Sequence, residues 1–522
     1  MRGIVSKQNK KQGSILSKHK NLVFIFSDQQ RYDTMACYGN DWIKTPHLNA
    51  LSEDSFIMER AYVGQPVCTP ARGTITTGLH PHNAGPTVNV IPLPPEQKTI
   101  AEYLPSEYET AWFGKWHLGD DGNAQHGFKH WISTEDHMSR FVGLSTEPSK
   151  SDWHNYLVDQ GYSPDSTLSN DQPHLPKEVT KNAIDNWEVF SPEKRSELPA
   201  EHQMAHFLGR NAVEFIENHK NNPFCLYVST FEPHSPYNGP YNDLYDPASL
   251  PVGPAFLKKP ENAPLISRLR AENNMQFLEG SSGSYKGYVE RQIRGVHNDI
   301  SSEHGWRELR AKYLANITLV DDMVGMIVKS LEEQGVLDDT VIVFTSEHGE
   351  MAGDHGMLEK RSMYEESARV PLIIRAPKIS TDKKVVSGNF SHVDLVPTLL
   401  DLLGVDLPSG LDGKSVSEVL EDGTNLRNNE VFVEWNGIGS IEDRLLGTPD
   451  INSMHQAPWR TIVYRDWKLN LCATDKCELF NLREDPHELN NLIDDPANED
   501  VVRLLSTKIR AWQYKTNDKA PL

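Results

Sequence analysis

The sequence predicts an α/β fold: a mostly parallel sheet sandwiched between helices, followed by a smaller α+β unit. Three observations predict it. Short apolar runs at 22–26, 110–113, 225–229 and 340–345 each lead directly into a polar cluster. Runs buried on both faces suit central parallel strands, and open α/β sheets keep their sites beyond the carboxyl ends of such strands. Second, residues 307–334 place Leu309, Tyr313, Ile317, Val320, Val324, Ile327 and Leu331 at steps of three and four, the spacing of a helix with one apolar face. Third, the pattern changes near residue 420. Short strand-like runs at 431–433, 461–464 and 468–471 precede a predicted helix over 499–514, the makings of a small antiparallel sheet with a helix.

In chain order, residues 1–20 form a polar, basic tail. A large unit spans 21–420, with inserts near 135–205 and 240–305, and a C-terminal subdomain spans 421–522. The run at 22–26 ends in Ser27-Asp28-Gln29-Gln30-Arg31, where Asp28 is either a helix N-cap or a site residue. Thr45-Pro46 opens a helix toward Phe56. Pro70 suits the first turn of a helix that continues over 71–77 and that Gly78 closes, so Cys68 falls just ahead of a helix N-terminus. That position favours an anion. On these residues alone it is either a reactive thiol beside an oxyanion site or a plain helix start. The strand at 110–113 runs into Gly114-Lys115-Trp116-His117, whose Lys and His share a face if strand geometry continues. Residues 204–219 read as a helix. The strand at 225–229 leads to a stiff loop with His234 between two prolines. The strand at 340–345 gives Ser346-Glu347-His348, predicted to lie beside Asp28; a strand at 371–375 and a helix at 394–403 follow. The inserts read as loops and short helices. They carry His174, Arg291, Arg294, His297 and His304, candidates for substrate recognition.

Composition narrows the function. Hydrophobic residues at 38% and charged residues at 24% fit a globular protein. The net charge of −21 argues against nucleic acid or an anionic membrane as partner. Five cysteines do not make a disulfide framework, and Cys472 and Cys477 read as free thiols. No apolar segment before Asn21 is long enough for a signal peptide or a span, which predicts a cytoplasmic chain as it stands, or a periplasmic or secreted one where a leader has been removed.

The string Cys68-Thr69-Pro70-Ala71-Arg72-Gly73 contains Cys-x-Pro-x-Arg, and it resembles the signature of the formylglycine-dependent (type I, Cys-type) sulfatases of the alkaline phosphatase-like superfamily. Four further strings resemble that family's motifs in the same order: the Asp28 strand end, Gly114-Lys115-Trp116-His117, the His234 loop, and Glu347-His348 followed by Lys360 a few residues before Tyr364-Glu365. The resemblance covers nearly the whole chain apart from the tail and inserts. It implies an α/β/α sandwich and a polysaccharide-active sulfatase, whose substrate is a sulfated saccharide. It also implies that Cys68 is converted to formylglycine by a maturation enzyme and that the hydrate is the nucleophile. Arg72, Lys115 and His117 would orient that nucleophile, and His234 and Lys360 would contact the sulfate. Asp28, Gln29, Glu347 and His348 would hold one divalent cation, with calcium implied and magnesium or manganese open. Two departures stand out: Gln29 where a second Asp is common, and Glu347 where an Asp is usual. Arg361 reads as a surface charge. The alternatives left open are a phosphonate or phosphate ester hydrolase of the same superfamily and a non-catalytic carbohydrate-binding homologue.

Overall fold

The computed structural model describes residues 20–89, 91–135, 150–162, 198–235, 237–276, 278, 300–379, 384–437 and 454–522. Of the candidates in the inserts, His174, Arg291, Arg294 and His297 lie outside these residues; His304 is exposed near the start of a long helix, Glu303–Glu333.

Thirteen strands are described: β1 (Asn21–Ser27), β2 (Phe56–Tyr62), β3 (Glu109–Gly114), β4 (His130–Ile132), β5 (Phe224–Ser229), β6 (Thr340–Ser346), β7 (Arg369–Val370), β8 (Leu372–Arg375), β9 (Val385–Ser391), β10 (Glu430–Trp435), β11 (Trp459–Tyr464), β12 (Trp467–Cys472) and β13 (Glu478–Asn481). The first nine form one sheet in the order β4-β3-β5-β1-β6-β8-β2-β7, with β9 paired to β2. The centre, β4 to β6, is parallel.

The apolar runs form central strands because both their faces are covered. In β1, Leu22, Phe24 and Phe26 enter one core with Leu395, Val396 and Leu399 of the helix Leu395–Leu403. Val23 and Ile25 enter the opposite core with Leu208, Ile216, Val320 and Val324 of the helices Met204–His219 and Glu303–Glu333. Each such buried side chain contributes about 1.5–3 kcal/mol relative to exposure. Helices on two faces of one sheet make the predicted sandwich.

The remaining strands form a second, antiparallel sheet, β10-β11-β12-β13. One face packs Phe432, Ile462, Leu469 and Leu479 on Leu505, Ile509 and Trp512 of the terminal helix Glu499–Thr516. The other packs Val431, Val433 and Trp459 against Tyr62, Val67, Met351, Met357 and Met363. The small sheet therefore backs the loops that follow β2 and β6. All five cysteines are free.

Two local expectations are corrected. The helix bearing the Cys-x-Pro-x-Arg string is Cys68–Thr77, so it starts at Cys68 rather than after it, and Pro70 is its third residue. Val67, extended at φ −160°, is the N-cap, and Gly78 closes the helix in the left-handed region as expected. Strand geometry does not continue from β3 to His117. Gly114 has φ +104° and His117 φ +55°, so alternation of side chains stops at Gly114. Gly114 also lies directly against the end of β5: a Cβ there would lie 1.9 Å from the Ser229 carbonyl oxygen. Gly114→Ala is expected to destabilise the protein by about 2 kcal/mol or more, read as a lower urea midpoint.

Candidate active site

The site lies where the carboxyl ends of β3, β5, β1 and β6 come level. Ser27 of β1 is in register with Ser346 of β6, so Asp28 and Glu347 leave adjacent strands side by side. Backbone bonds lock the exits together: Glu347 N–H donates to Ser27 O (3.2 Å), Asp28 N–H to Glu232 O (3.3 Å) and Lys115 N–H to Ser229 O (3.0 Å). The helix Cys68–Thr77 brings in Cys68, 2% exposed, whose Sγ lies 3.4 Å from His348 Nε2.

Asp28, Cys68, Glu347 and His348 each offer a ligand atom, and these atoms all lie within 4.8 Å of one another. The two cations beside them are held firmly. Lys115 Nζ is 2.6 Å from Asp28 Oδ2. The Arg72 guanidinium contacts Glu347 through Nε and stands 3.7 Å from Asp28, while its Nη1 donates to Lys115 O (2.6 Å) and Ser229 Oγ (2.8 Å). Burial alone would raise the Asp28 carboxyl; Lys115 first, and Arg72 more weakly, hold it well below the usual carboxylate range. His348 keeps Nδ1 on the Gly349 carbonyl (3.0 Å), leaving Nε2 to face Glu347 Oε1 at 3.1 Å and Asp28 Oδ1 at 3.8 Å. Burial opposes a charge on His348, yet Cys68 and Glu347 push it up to about 9.

The donor set fits a cation. Asp28 Oδ1 and Glu347 Oε1 are buried and accept no hydrogen bond among the described residues, and Glu347 Oε2 has the Arg72 ion pair alone, which is costly for carboxylates with no metal to coordinate. Two carboxylates and one imidazole suit a hard or borderline divalent ion. Gln29 stands beside this group with its amide committed. Its Oε1 accepts from Lys360 Nζ, and its Nε2 donates to Glu350 and to Tyr237 Oη. Its backbone takes φ +71°, and its carbonyl accepts from Tyr313 Oη at 2.7 Å.

The opposite wall is His234 and Lys360, with Nζ 2.7 Å from His234 Nε2. His234 Nδ1 donates to Ser235 O (2.7 Å), so Nε2 is an acceptor. Burial, and then Lys360, push His234 down to about 3, which makes it a neutral imidazole. Burial would lower Lys360, but Cys68 and Glu359 raise it, so the ammonium persists. His117 is anchored behind Cys68: its carbonyl accepts from Thr69 Oγ1 (3.0 Å) and its N–H donates to Asp121 Oδ1 (2.7 Å). The structure thus places Asp28, Cys68, Arg72, Lys115, Glu347 and His348 in one cluster, with Gln29, His234 and Lys360 beside it, and holds His117 by its backbone next to Thr69.

Arg361 is not a surface charge. It is buried, 3.7 Å from Glu359, and its N–H donates to Pro66 O. The reason lies in the second insert, where the helix Leu265–Met275 carries Arg270. The Arg270 guanidinium donates to the carbonyls of Leu358 (3.1 Å), Lys360 (2.8 Å) and Arg361 (2.8 Å), folding that loop inward. Glu350, Glu359, Tyr237, Ser229 and Arg270 support the site without having been assigned roles from sequence. All but Arg270 fall within or beside the strings already noted, but nothing in the spacing separates them from their neighbours.

A family model described as Sulfatase matches residues 20–405, and one described as N-sulphoglucosamine sulphohydrolase, C-terminal, matches residues 353–515. Among curated proteins, the chain is 28% identical to the uncharacterized sulfatase YidJ of Escherichia coli K12, covering 96% of this chain and 88% of that protein. It is 26% identical to an N-acetylglucosamine-6-O-sulfatase of Bacteroides thetaiotaomicron, with the same coverage. Among solved structures, the phosphonate monoester hydrolase of Agrobacterium radiobacter superposes with a TM-score of 0.73 at 23% identity, covering 95% of this chain and 96% of that one. A protein solved with its substrate D-glucosamine-2-N,6-O-disulfate superposes with a TM-score of 0.71 at 22% identity, covering 97% and 99%. These two show the fold. The Sulfatase model spans most of the chain, strand ends and helix start included, and the chain belongs to the sulfatase family.

Proposed function

We propose that the protein hydrolyses sulfate esters on a saccharide, with residue 68 as nucleophile. The observation that carries this is the convergence of Cys68, at a helix start, on Asp28, Glu347 and His348, ringed by Arg72, Lys115 and Lys360. Relatives named for N-acetylglucosamine-6-O-sulfate and ulvan, and the fold relative solved with a disulfated glucosamine, support a saccharide substrate.

A cation held by Asp28, Glu347 and His348, with Gln29 beside them, would supply positive charge to a sulfate ester, and calcium fits the oxygen donors. Formylglycine at position 68, installed by a maturation enzyme, would supply a diol hydroxyl as nucleophile. The chain's own groups do the remainder. Arg72 is clamped by a carbonyl, a hydroxyl and a carboxylate, so it presents fixed charge beside residue 68 without reorganising. Lys115 and His117 orient the nucleophile from β3's exit. Lys360 holds its protons on Nζ, one of them directed at neutral His234 Nε2, so His234 positions an ammonium that is suited to bind sulfate oxygens and to protonate the departing alkoxide. Arg72, Lys115 and Lys360 face Asp28, Glu347 and Glu359. A divalent cation added to that balance leaves the centre positive, which resolves how an acidic protein accepts an anion.

Two outcomes test this reading. The matured protein is expected to release inorganic sulfate from desalted sulfated oligosaccharides with a higher kcat/KM than it shows for phosphonate or phosphate monoesters. A reversed preference would move it to the phosphorus-ester hydrolases. Arg270→Ala is expected to lower kcat/KM for a small aryl sulfate by roughly ten- to a hundred-fold, because the Lys360 loop loses three carbonyl anchors. Arg270→Lys, lacking the planar fork, is expected to recover little of that.

A further inference from the structure

We propose a second anion-binding site, separate from the catalytic centre, that holds sulfate or carboxylate groups of a polymeric saccharide. It is a cleft of about 760 Å³ between the edge of the large sheet and the small sheet. Five of its ten lining residues are arginines: Arg60 on β2, Arg369 on β7, Arg427 before β10, Arg465 in the β11–β12 turn and Arg483 after β13. None of the lining residues belongs to the catalytic group. The volume is within the range of roughly 300–1,000 Å³ usual for ligand sites.

A cluster of arginines can simply be an interface of ion pairs, so the pairs decide the matter. Only two acids line the cleft, and both are engaged. Asp466 is shared by Arg60 (2.9 Å) and Arg483 (2.6 Å). Glu59 Oε2 accepts the Gly388 N–H (2.8 Å). Arg369 is braced by the Glu59 carbonyl (2.7 Å), by Glu365 (3.5 Å) and by the Tyr32 ring, 4.0 Å away. Arg427 and Arg465 are exposed and pair with no carboxylate among the described residues. Arg465 Nε donates instead to Asn428 Oδ1 (3.1 Å), which aims the guanidinium without neutralising it.

The walls are fixed before any ligand arrives. Gly388, at φ +107°, lets the segment carrying Leu426 and Arg427 lie directly on β9, where a Cβ would come 2.2 Å from Leu426 C. Leu426 N–H donates to Ser387 O (2.7 Å), and Asn425 Oδ1 accepts the Arg427 N–H (3.1 Å). Binding therefore orders little chain. Forked guanidiniums match sulfate and carboxylate oxygens, and the Asn425 and Asn428 amides can serve sugar hydroxyls. On a chain of net charge −21 this basic cleft is a local exception. A duplex nucleic acid would meet repelling surface beyond it, whereas a saccharide of lower charge density can seat a few anionic groups.

The assignment of a sulfated saccharide rests on the function proposed above. The test is affinity electrophoresis of the full chain through gels containing a sulfated galactan polymer, with 4-nitrophenyl sulfate hydrolysis measured on the same preparations. Arg427→Ala/Arg465→Ala is expected to weaken retardation by roughly tenfold in apparent Kd, and Arg427→Glu/Arg465→Glu to abolish it. Aryl sulfate kcat/KM is expected to stay within about twofold of the parent. Unchanged retardation in the Glu variant overturns the site, as does equal or stronger retardation of the parent by duplex DNA in place of the galactan. Retardation lost in the variants while no saccharide yields sulfate keeps the cleft and rejects the catalytic proposal instead.

Discussion

Cys68→Ala is expected to abolish sulfate ester hydrolysis, lowering kcat/KM by about 10⁴-fold or more, with the fold intact. Position 68 opens a helix whose dipole favours negative charge, and its Sγ lies 3.4 Å from His348 Nε2 and within 4.8 Å of a ligand atom on each of Asp28 and Glu347. Alanine removes the only atom there that can be oxidised to an aldehyde. Structurally the change is small, since one sulfur is lost from a residue with no secondary-structure role beyond its backbone; about 1–2 kcal/mol is a fair bound. Circular dichroism should overlay the parent. Cys68→Ser is expected to be silent as well where the maturation enzyme requires a thiol. Activity within tenfold of the parent in Cys68→Ala would remove residue 68 from the chemistry.

Asp28→Ala is expected to have the next largest effect, on metal content and stability together. Asp28 is fully buried between Lys115 at 2.6 Å and Arg72 at 3.7 Å. Its removal leaves two buried cations short of a partner, a break worth about 3–5 kcal/mol, and takes one of two carboxylates from the cation site. Metal analysis of the parent is expected to give one divalent ion per chain, and that of Asp28→Ala close to none. The pair of readouts separates the roles, because a purely structural Asp28 would lower the melting temperature and leave metal occupancy unchanged. Glu347→Asp probes the same shell more gently. Its shorter side chain withdraws from Arg72, and the measured change in metal affinity shows how far the cation site depends on the reach of a Glu.

Most of the site's framework was legible in the sequence because its strands are buried on both faces. Such strands announce themselves as uninterrupted apolar runs, and the register of Ser27 with Ser346 then places Asp28 and Glu347 together. Strands without that pattern were missed. β2 reads Phe-Ile-Met-Glu-Arg-Ala-Tyr, with Glu59 exposed, and looks like neither a buried strand nor an alternating one. β9 and β13 mix polar and apolar residues for the same reason: each lies toward an edge of its sheet. Local geometry failed where a single backbone angle intervened, as at Gly114 before Lys115 and His117. The burial of Arg361 was illegible on other grounds, since the carbonyls that hold its loop answer to Arg270, some ninety residues earlier in an insert of weak periodicity. Likewise the pairing of Lys360 with His234 depends on a contact across 126 positions that no spacing rule reports.

The central claim is that residue 68 acts as a converted cysteine within this charged centre. The measurement that tests it most directly is the mass of the peptide bearing residue 68, taken from a preparation that is actively releasing sulfate. The account predicts a peptide lighter by one sulfur and two hydrogens and heavier by one oxygen, in a fraction that tracks specific activity across preparations. A fully active preparation whose residue 68 carries the mass of unmodified cysteine would contradict it.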